Sequence, residues 1–245
     1  MDHFQSPSTI PTLNHDEVHV WYASLEMDSA DIVDYSKTLS PDEKERIDRF
    51  YFAKDRNNFI RGRGILRVLL GRYLKKDPSC IQLSYNTYGK PSLKCPIEAN
   101  SLNFNVSHSD EKILYAFSKG LPLGIDLEYI RLDLSFESIA KRFFSPLEAT
   151  MFYSLPEAFK AEAFFNCWTR KEAFVKAKGG GLSLELDQFD VSLRPGEPAR
   201  VLRTRYDERD KQDWSLHDID VGSEFKAALA VKSIKPQISC YSWCF

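Results

Sequence analysis

The sequence predicts an α+β fold of two similar halves packed as a pseudo-twofold intramolecular dimer. Three observations predict it. Short alternating apolar runs read as strands, two long segments carry helical spacing, and the order strand, helices, three strands occurs twice. The join falls near Gly120, which divides the chain into residues 1–119 and 120–245. The repeat lies in element order alone, with no residue-level repeat evident.

Residues 1–15 are polar and Pro-rich and read as a loose leader. Val18 to Leu25 alternates as a strand should. Ser40, Pro41 and Glu43 then form a capping box with proline at the first helical position, opening a basic helix to about Tyr51. A second helix spans about Ala53 to Leu74, with Phe59, Leu66 and Leu70 at helical spacing and arginines on its polar face. Asp77-Pro78 ends it. Cys80–Tyr85, Leu102–Val106 and Lys112–Phe117 read as strands, with Gly89-Lys90-Pro91 as a turn and Ser107 to Asp110 as a connection. In the second half, Leu123–Ile130 is a strand. Helices follow at Phe136–Arg142, Pro146–Tyr153 and Pro156–Lys178. Gly179-Gly180-Gly181 stops the last helix. Strands near Gln188–Leu193, Trp214–Ile219 and Lys226–Val231 close the chain.

The 245 residues suffice for one large domain or two small ones, and 43% hydrophobic with 28% charged residues suits a packed, soluble core. The formal net charge of −2 gives no general attraction to nucleic acid or an anionic membrane. An anionic ligand must then meet a local basic cluster. The five cysteines are odd in number and scattered, which fits thiols in a reducing compartment. No signal-peptide core or membrane-length apolar run is present, so a cytoplasmic location is expected.

Four clusters carry chemistry. Asp126 and Glu128, two apart in an apolar strand, project from one face and repel. A Mg²⁺ ion between them would relieve this, as would solvation on an exposed edge. Trp168, Glu172 and Lys176 fall on one helical face, where Glu172 and Lys176 form either part of a phosphate site or an ordinary ion pair worth ~0.3–0.5 kcal/mol. Lys90 on its turn, with Ser107, His108 and Ser109, offers donors suited to phosphate oxygens. Lys44, Arg46, Arg49, Arg56, Arg61 and Arg63 make a basic helical region that is either an anion site or a solvated face. The triple glycine follows its helix and lacks a Walker lysine, so it is a helix stop rather than a phosphate loop.

Taken in order, NVSHS, GIDLE, FFSPLE and FFNCWTRKEAFVKAKGGGL resemble the surfactin-type (Sfp-type) phosphopantetheinyl transferases, and RGRGILR with YGKP resembles their cyanobacterial members. The resemblance spans roughly Ser40 to Leu193. It implies an Mg²⁺-dependent enzyme, and Mn²⁺ should substitute because it also favours oxygen ligands. Such an enzyme moves the 4′-phosphopantetheine of coenzyme A to a serine of an apo acyl, peptidyl or polyketide carrier protein and releases 3′,5′-ADP. On this resemblance Asp126, Glu128 and Glu172 hold the metal, and Glu172 and Lys176 are catalytic. Arg46, Arg63, Lys90, Pro91, Ser107, His108, Asp126 and Lys176 bind coenzyme A. Glu43 stands where a lysine is common in the family, and Arg63 is the expected substitute. A monomer is implied, with coenzyme A between the halves and no nucleic-acid or membrane partner. Phe174, Leu182 and Leu184 are the expected carrier surface. Two alternatives are a Mg²⁺-dependent phosphotransferase acting on nucleotides and a coenzyme A-binding protein without catalysis.

Overall fold

The structure is a computed structural model, and it describes residues 4–26, 29–87, 89–94, 102–179 and 184–244. Gly180, Gly181, Leu182 and Cys95 lie outside these residues. The first half runs β1 (Glu17–Ser24), α1 (Ser29–Thr38), α2 (Pro41–Ile47), α3 (Ala53–Leu74), β2 (Leu83–Tyr85), β3 (Pro91–Leu93), β4 (Leu102–Ser109) and β5 (Lys112–Lys119). The second runs β6 (Leu123–Tyr129), α4 (Phe136–Phe143), α5 (Pro146–Tyr153), α6 (Glu157–Lys178), β7 (Phe189–Val191), β8 (Val201–Thr204), α7 (Asp210–Asp213), β9 (Ser215–Asp218) and β10 (Phe225–Val231). A last strand, β11 (Gln237–Ser242), follows.

The two halves share a topology. In the first sheet β5 lies between β1 and β4; in the second, β10 lies between β6 and β9, all antiparallel. Each half also carries a short hairpin, β2–β3 or β7–β8, and a 22-residue helix, α3 or α6. Strand β11 departs from the expected division at residue 120. It pairs in parallel with β1, so the end of the chain completes the sheet of the first half. Helix α1, strand β8 and helix α7 were also not anticipated. Helix α1 is held by a tertiary fit, in which the ring of Tyr35 lies where Gly64 of α3 has no side chain.

Alternation along the strands sets the layers. Ile113, Tyr115 and Phe117 of β5 face α3, where they pack with Ile65, Leu66, Leu69 and Leu70. Leu114 and Ala116 face the other way. With Val18 and Val20 of β1 they meet Leu123, Ile125 and Leu127 of β6 and Leu229 of β10 in a core shared by the two sheets. Ala228 and Ala230 of β10 turn outward to Phe174 and other residues of α6. The order is therefore helix, sheet, sheet, helix.

A residue-level repeat emerges in the packing. Both halves contain Ser-Pro-x-Glu, at Ser40–Glu43 and at Ser145–Glu148, and in both the glutamate closes a capping box. Each glutamate is buried and also binds a cation on the long helix of its half. Glu43 Oε2 takes Arg67 Nε at 2.6 Å, and Glu148 Oε2 takes Lys171 Nζ at 2.8 Å. Arg67 and Lys171 occupy the same position in their helices, fourteen residues after Ala53 and Glu157. Lys171 also donates to the carbonyls of Leu186 and Phe189, and Glu148 Oε1 accepts from Val191 N–H. Burial pushes the Glu148 carboxyl up, and Lys171 opposes that rise.

Removing one member of such a pair strands a buried charge. Lys171→Ala is expected to cost about 3 kcal/mol, read as a lowered urea midpoint at unchanged slope. A loss under about 1 kcal/mol would mean that the pair does not hold α6 in place.

Candidate active site

Strand β6 turns Leu123, Ile125 and Leu127 into the shared core, and Gly124, Asp126 and Glu128 toward α6. The two elements touch at Gly124. A Cβ there would lie 2.2 Å from the carbonyl oxygen of Ala173 and 2.3 Å from the nitrogen of Ala177. No side chain fits that gap, so the glycine is required by space rather than by backbone angle. The contact sets Asp126 and Glu128 beside Glu172 and Lys176.

Asp126 is buried, and its Oδ1 accepts from Lys176 Nζ at 2.5 Å and from Ser107 Oγ at 3.1 Å. Lys176 Nζ also reaches Ser107 Oγ at 3.0 Å. Asp126 Oδ2 is buried and accepts no hydrogen bond. The carboxylates act on one another. Burial raises the pKa of Glu172, Asp126 and Glu128 raise it further, and Lys176 opposes them. Glu128 is raised by burial and then by Asp126, against the pull of Ser109, Lys176 and Trp168. Among the described residues, no three His, Cys, Asp or Glu side chains are gathered closely enough to hold a metal. The orphaned Asp126 oxygen and the strained charge on its neighbours nevertheless fit a hard divalent cation, which takes oxygen donors.

Strand β4 borders β6 without a backbone ladder. Ile125 N–H donates to Asn105 Oδ1 at 2.7 Å, Leu127 N–H to Ser107 Oγ at 3.2 Å and Tyr129 N–H to Ser109 Oγ at 2.9 Å. Residues 107–109, expected to form a connection, are thus part of β4. Strand alternation then separates Ser107 from His108. Ser107 faces the acids. His108 stands on the wall of a cavity of about 540 Å³ with Arg46, Phe59, Arg63 and Pro91. Desolvation lowers the His108 pKa, and the Lys176 charge adds to the effect.

Arg46 lies over the Phe59 ring at 4.9 Å, and Arg63 lies between the Phe59 and Tyr85 rings at 5.7 and 5.6 Å. Arg63 Nε is 3.4 Å from Glu43 Oε1, while its Nη1 is buried with no hydrogen-bond partner. The other basic residues diverge. Arg49 pairs with Glu45 on the surface, and Arg61 pairs with Asp31.

A second cavity of about 550 Å³ is lined by Lys90, Glu172, Lys176, Val175, Leu184 and Leu186. The two cavities share Gly89, Pro91 and Val106 in their linings and so adjoin, as a tract with the arginines at one end and Glu172 and Lys176 at the other. Lys90 is at the acidic end. Its Nζ donates to the carbonyls of Lys176 at 2.5 Å and Leu123 at 3.4 Å, which ties the first half to both elements of the contact. Of the expected carrier surface, Phe174 is fully buried between Phe189 and Trp214 and is core, while Leu184 lines the second cavity.

A model of the 4′-phosphopantetheinyl transferase superfamily matches residues 122–230, and a model of a 4′-phosphopantetheinyl transferase N-terminal region matches 26–119. The 4′-phosphopantetheinyl transferase HetI of Nostoc sp. is 40% identical over 90% of both chains. The chain belongs to the 4′-phosphopantetheinyl transferase superfamily. The transferase Sfp of Bacillus subtilis is 37% identical over 63% of this chain and 66% of its own. A putative 4′-phosphopantetheinyl transferase of Synechocystis sp. is 35% identical over 74% and 72%. As in the sequence reading, the similarity reaches cyanobacterial members. No helix among the described residues is long and apolar enough to cross a membrane.

Within this member of the superfamily, Lys90 has a testable electrostatic signature. Burial, and next the charge of Lys176, bring its pKa down to about 8 from 10.5. Between those values the unfolded chain binds more protons than the native one, so Lys90 makes stability rise with pH. Urea unfolding at several pH values should show that rise in the wild type relative to Lys90→Met between about pH 8 and 10.5. Parallel curves would contradict a depressed Lys90.

Proposed function

We propose that this protein transfers the 4′-phosphopantetheine of coenzyme A to a serine hydroxyl of an apo carrier protein, with Mg²⁺, releasing 3′,5′-ADP. The observation that carries the reading is the tract itself. It runs from Arg46, Arg63 and His108 to Glu172 and Lys176, with Asp126 buried against Lys176 and the half-buried Glu128 next to it on the strand. Family membership supplies the reaction class.

Coenzyme A is long, with anionic groups at its nucleotide end and pyrophosphate and an apolar-to-amide arm beyond them. Arg46, Arg63 and His108 would take the nucleotide phosphate, Pro91 would line the passage, and Lys90 and Lys176 would meet the pyrophosphate. Asp126, Glu128 and Glu172 would hold Mg²⁺, which when bound neutralises phosphoryl oxygens. Ser107 orients Asp126 and Lys176 through its hydroxyl. The carrier serine oxygen forms a bond to the phosphorus bearing pantetheine, and the bond from that phosphorus to the 3′,5′-ADP oxygen breaks. Glu172 accepts the serine proton, a task helped by the raised pKa that burial and Asp126 give it. Lys176 neutralises charge on the departing phosphate. The halves meet within one chain, so a monomer can carry the site, and a cytoplasmic location suits its substrates.

Two measurements test this. Incubating the protein with coenzyme A and apo carriers of fatty acid, polyketide and nonribosomal peptide type should add phosphopantetheine, read as a mass shift. EDTA should abolish it, and Mg²⁺ or Mn²⁺ should restore it. Full transfer in EDTA would remove the metal from the mechanism.

The second concerns Glu172. Glu172→Gln should lower kcat at least ~100-fold with an unchanged melting curve, and Lys176→Ala should also lower kcat. Near-normal turnover in Glu172→Gln would refute its role.

A further inference from the structure

The hydrogen bonds between β4 and β6 repeat as a unit. Ser107 Oγ accepts Leu127 N–H and donates to Asp126; two residues on, Ser109 Oγ accepts Tyr129 N–H at 2.9 Å and donates to Glu128 Oε2 at 3.2 Å. A serine hydroxyl has one proton to give. With its acceptor side engaged by a fixed backbone N–H, that proton is directed at the carboxylate. Each serine thus reads the position of the β6 backbone and sets the carboxylate of the residue just before the N–H that it binds.

Glu128 has the greater need. Its side chain is longer than that of Asp126 and has one more torsion to fix. It is half-buried beside Asp126, whose charge repels it, and Lys176 is committed to Asp126 and Ser107. Two neutral donors oppose that repulsion. Ser109 comes from the first half and the Trp168 side chain from α6 of the second.

We propose that Ser109 is a positioning residue that holds Glu128, from across the junction of the halves, in the orientation in which it ligates the divalent cation. The inference rests on the reading of Glu128 as a metal ligand. Ser109 acts through Glu128 and touches no reacting atom. Its loss should weaken cation binding without weakening the grip on the nucleotide end, since Arg46, Arg63 and His108 line a cavity that neither Ser109 nor Glu128 lines.

The test measures Mn²⁺ binding in the presence of coenzyme A, from the electron paramagnetic resonance signal of free Mn²⁺, for the wild type, Ser109→Ala and Ser109→Thr. Transfer kinetics and melting curves accompany it. Removing the partner that orients a ligand weakens metal binding by about 10- to 100-fold. Ser109→Ala should raise the Mn²⁺ dissociation constant about tenfold and lower kcat, leaving KM for coenzyme A unchanged. Ser109→Thr keeps the hydroxyl and should return the dissociation constant to within about threefold of wild type. A purely structural serine would lower the melting temperature and leave Mn²⁺ affinity of the folded protein alone. Ser109→Ala that binds Mn²⁺ as the wild type does overturns the inference but not the metal reading. A wild type that binds no Mn²⁺ overturns both. If Ser109→Ala does not fold, Ser109→Cys keeps the volume with a weaker donor and must show the same loss of affinity, or the inference fails.

Discussion

Strand β6 and helix α6 lie backbone against backbone at Gly124, and the site's geometry descends from that contact. The strand carries two acids on the face that meets the helix, and the helix carries Glu172 and Lys176 on the face that meets the strand. Any side chain at position 124 would collide with backbone atoms of Ala173 and Ala177, which cannot move aside as a flexible side chain could. The small neighbours Ala173 and Ala177 on α6 serve the same closeness. Like charges pressed together at such a distance must be compensated, and Lys176 provides the compensation on Asp126.

The same economy anchors the helices. In each half one glutamate both caps a short helix and neutralises a buried cation on the long helix, Arg67 in one half and Lys171 in the other. Two backbone-positioning tasks are tied to one carboxylate, so the short helix cannot shift without breaking the ion pair. The halves diverge in the next part of the long helix. In α6 the residue after the buried cation is Glu172 and points to the site, whereas in α3 it is Val68 and packs against the core. Two copies of one scaffold thus carry different loads: the first supplies cations for the far end of the tract, and the second supplies acids.

Between the copies runs a seam in which side chains replace a ladder. Asn105, Ser107 and Ser109 accept the β6 N–H groups that a neighbouring strand would ordinarily take with its carbonyls. The two serine hydroxyls, unlike carbonyls, still have a proton to give. The seam can therefore address the acids of β6 as well as its backbone. Lys90 adds a strut from the first half to the carbonyls of Leu123 and Lys176, on both sides of the Gly124 contact.

Much of this was legible in the sequence because it is local. Helix α3 spans Ala53–Leu74 as expected, α5 spans Pro146–Tyr153, and α6 ends at Gly179 in a left-handed cap, since capping boxes, periodicity and glycine act within a few residues. The pairing of Asp126 with Glu128 on one face and of Glu172 with Lys176 on another follows from strand and helix geometry alone. What the tertiary structure decided depends on partners distant in the chain. Polar residues alternating at 103, 105, 107 and 109 resemble a solvated edge until β6 is beside them. Lys171 and Glu172 are adjacent in one motif, yet one is sealed against Glu148 and the other opens on a cavity. Strand β11 has no nearby partner in sequence and finds its place beside β1, some two hundred residues away. Local rules set which way a side chain leaves its own backbone; only packing sets what it meets there, and the chemistry of this protein lies in those meetings.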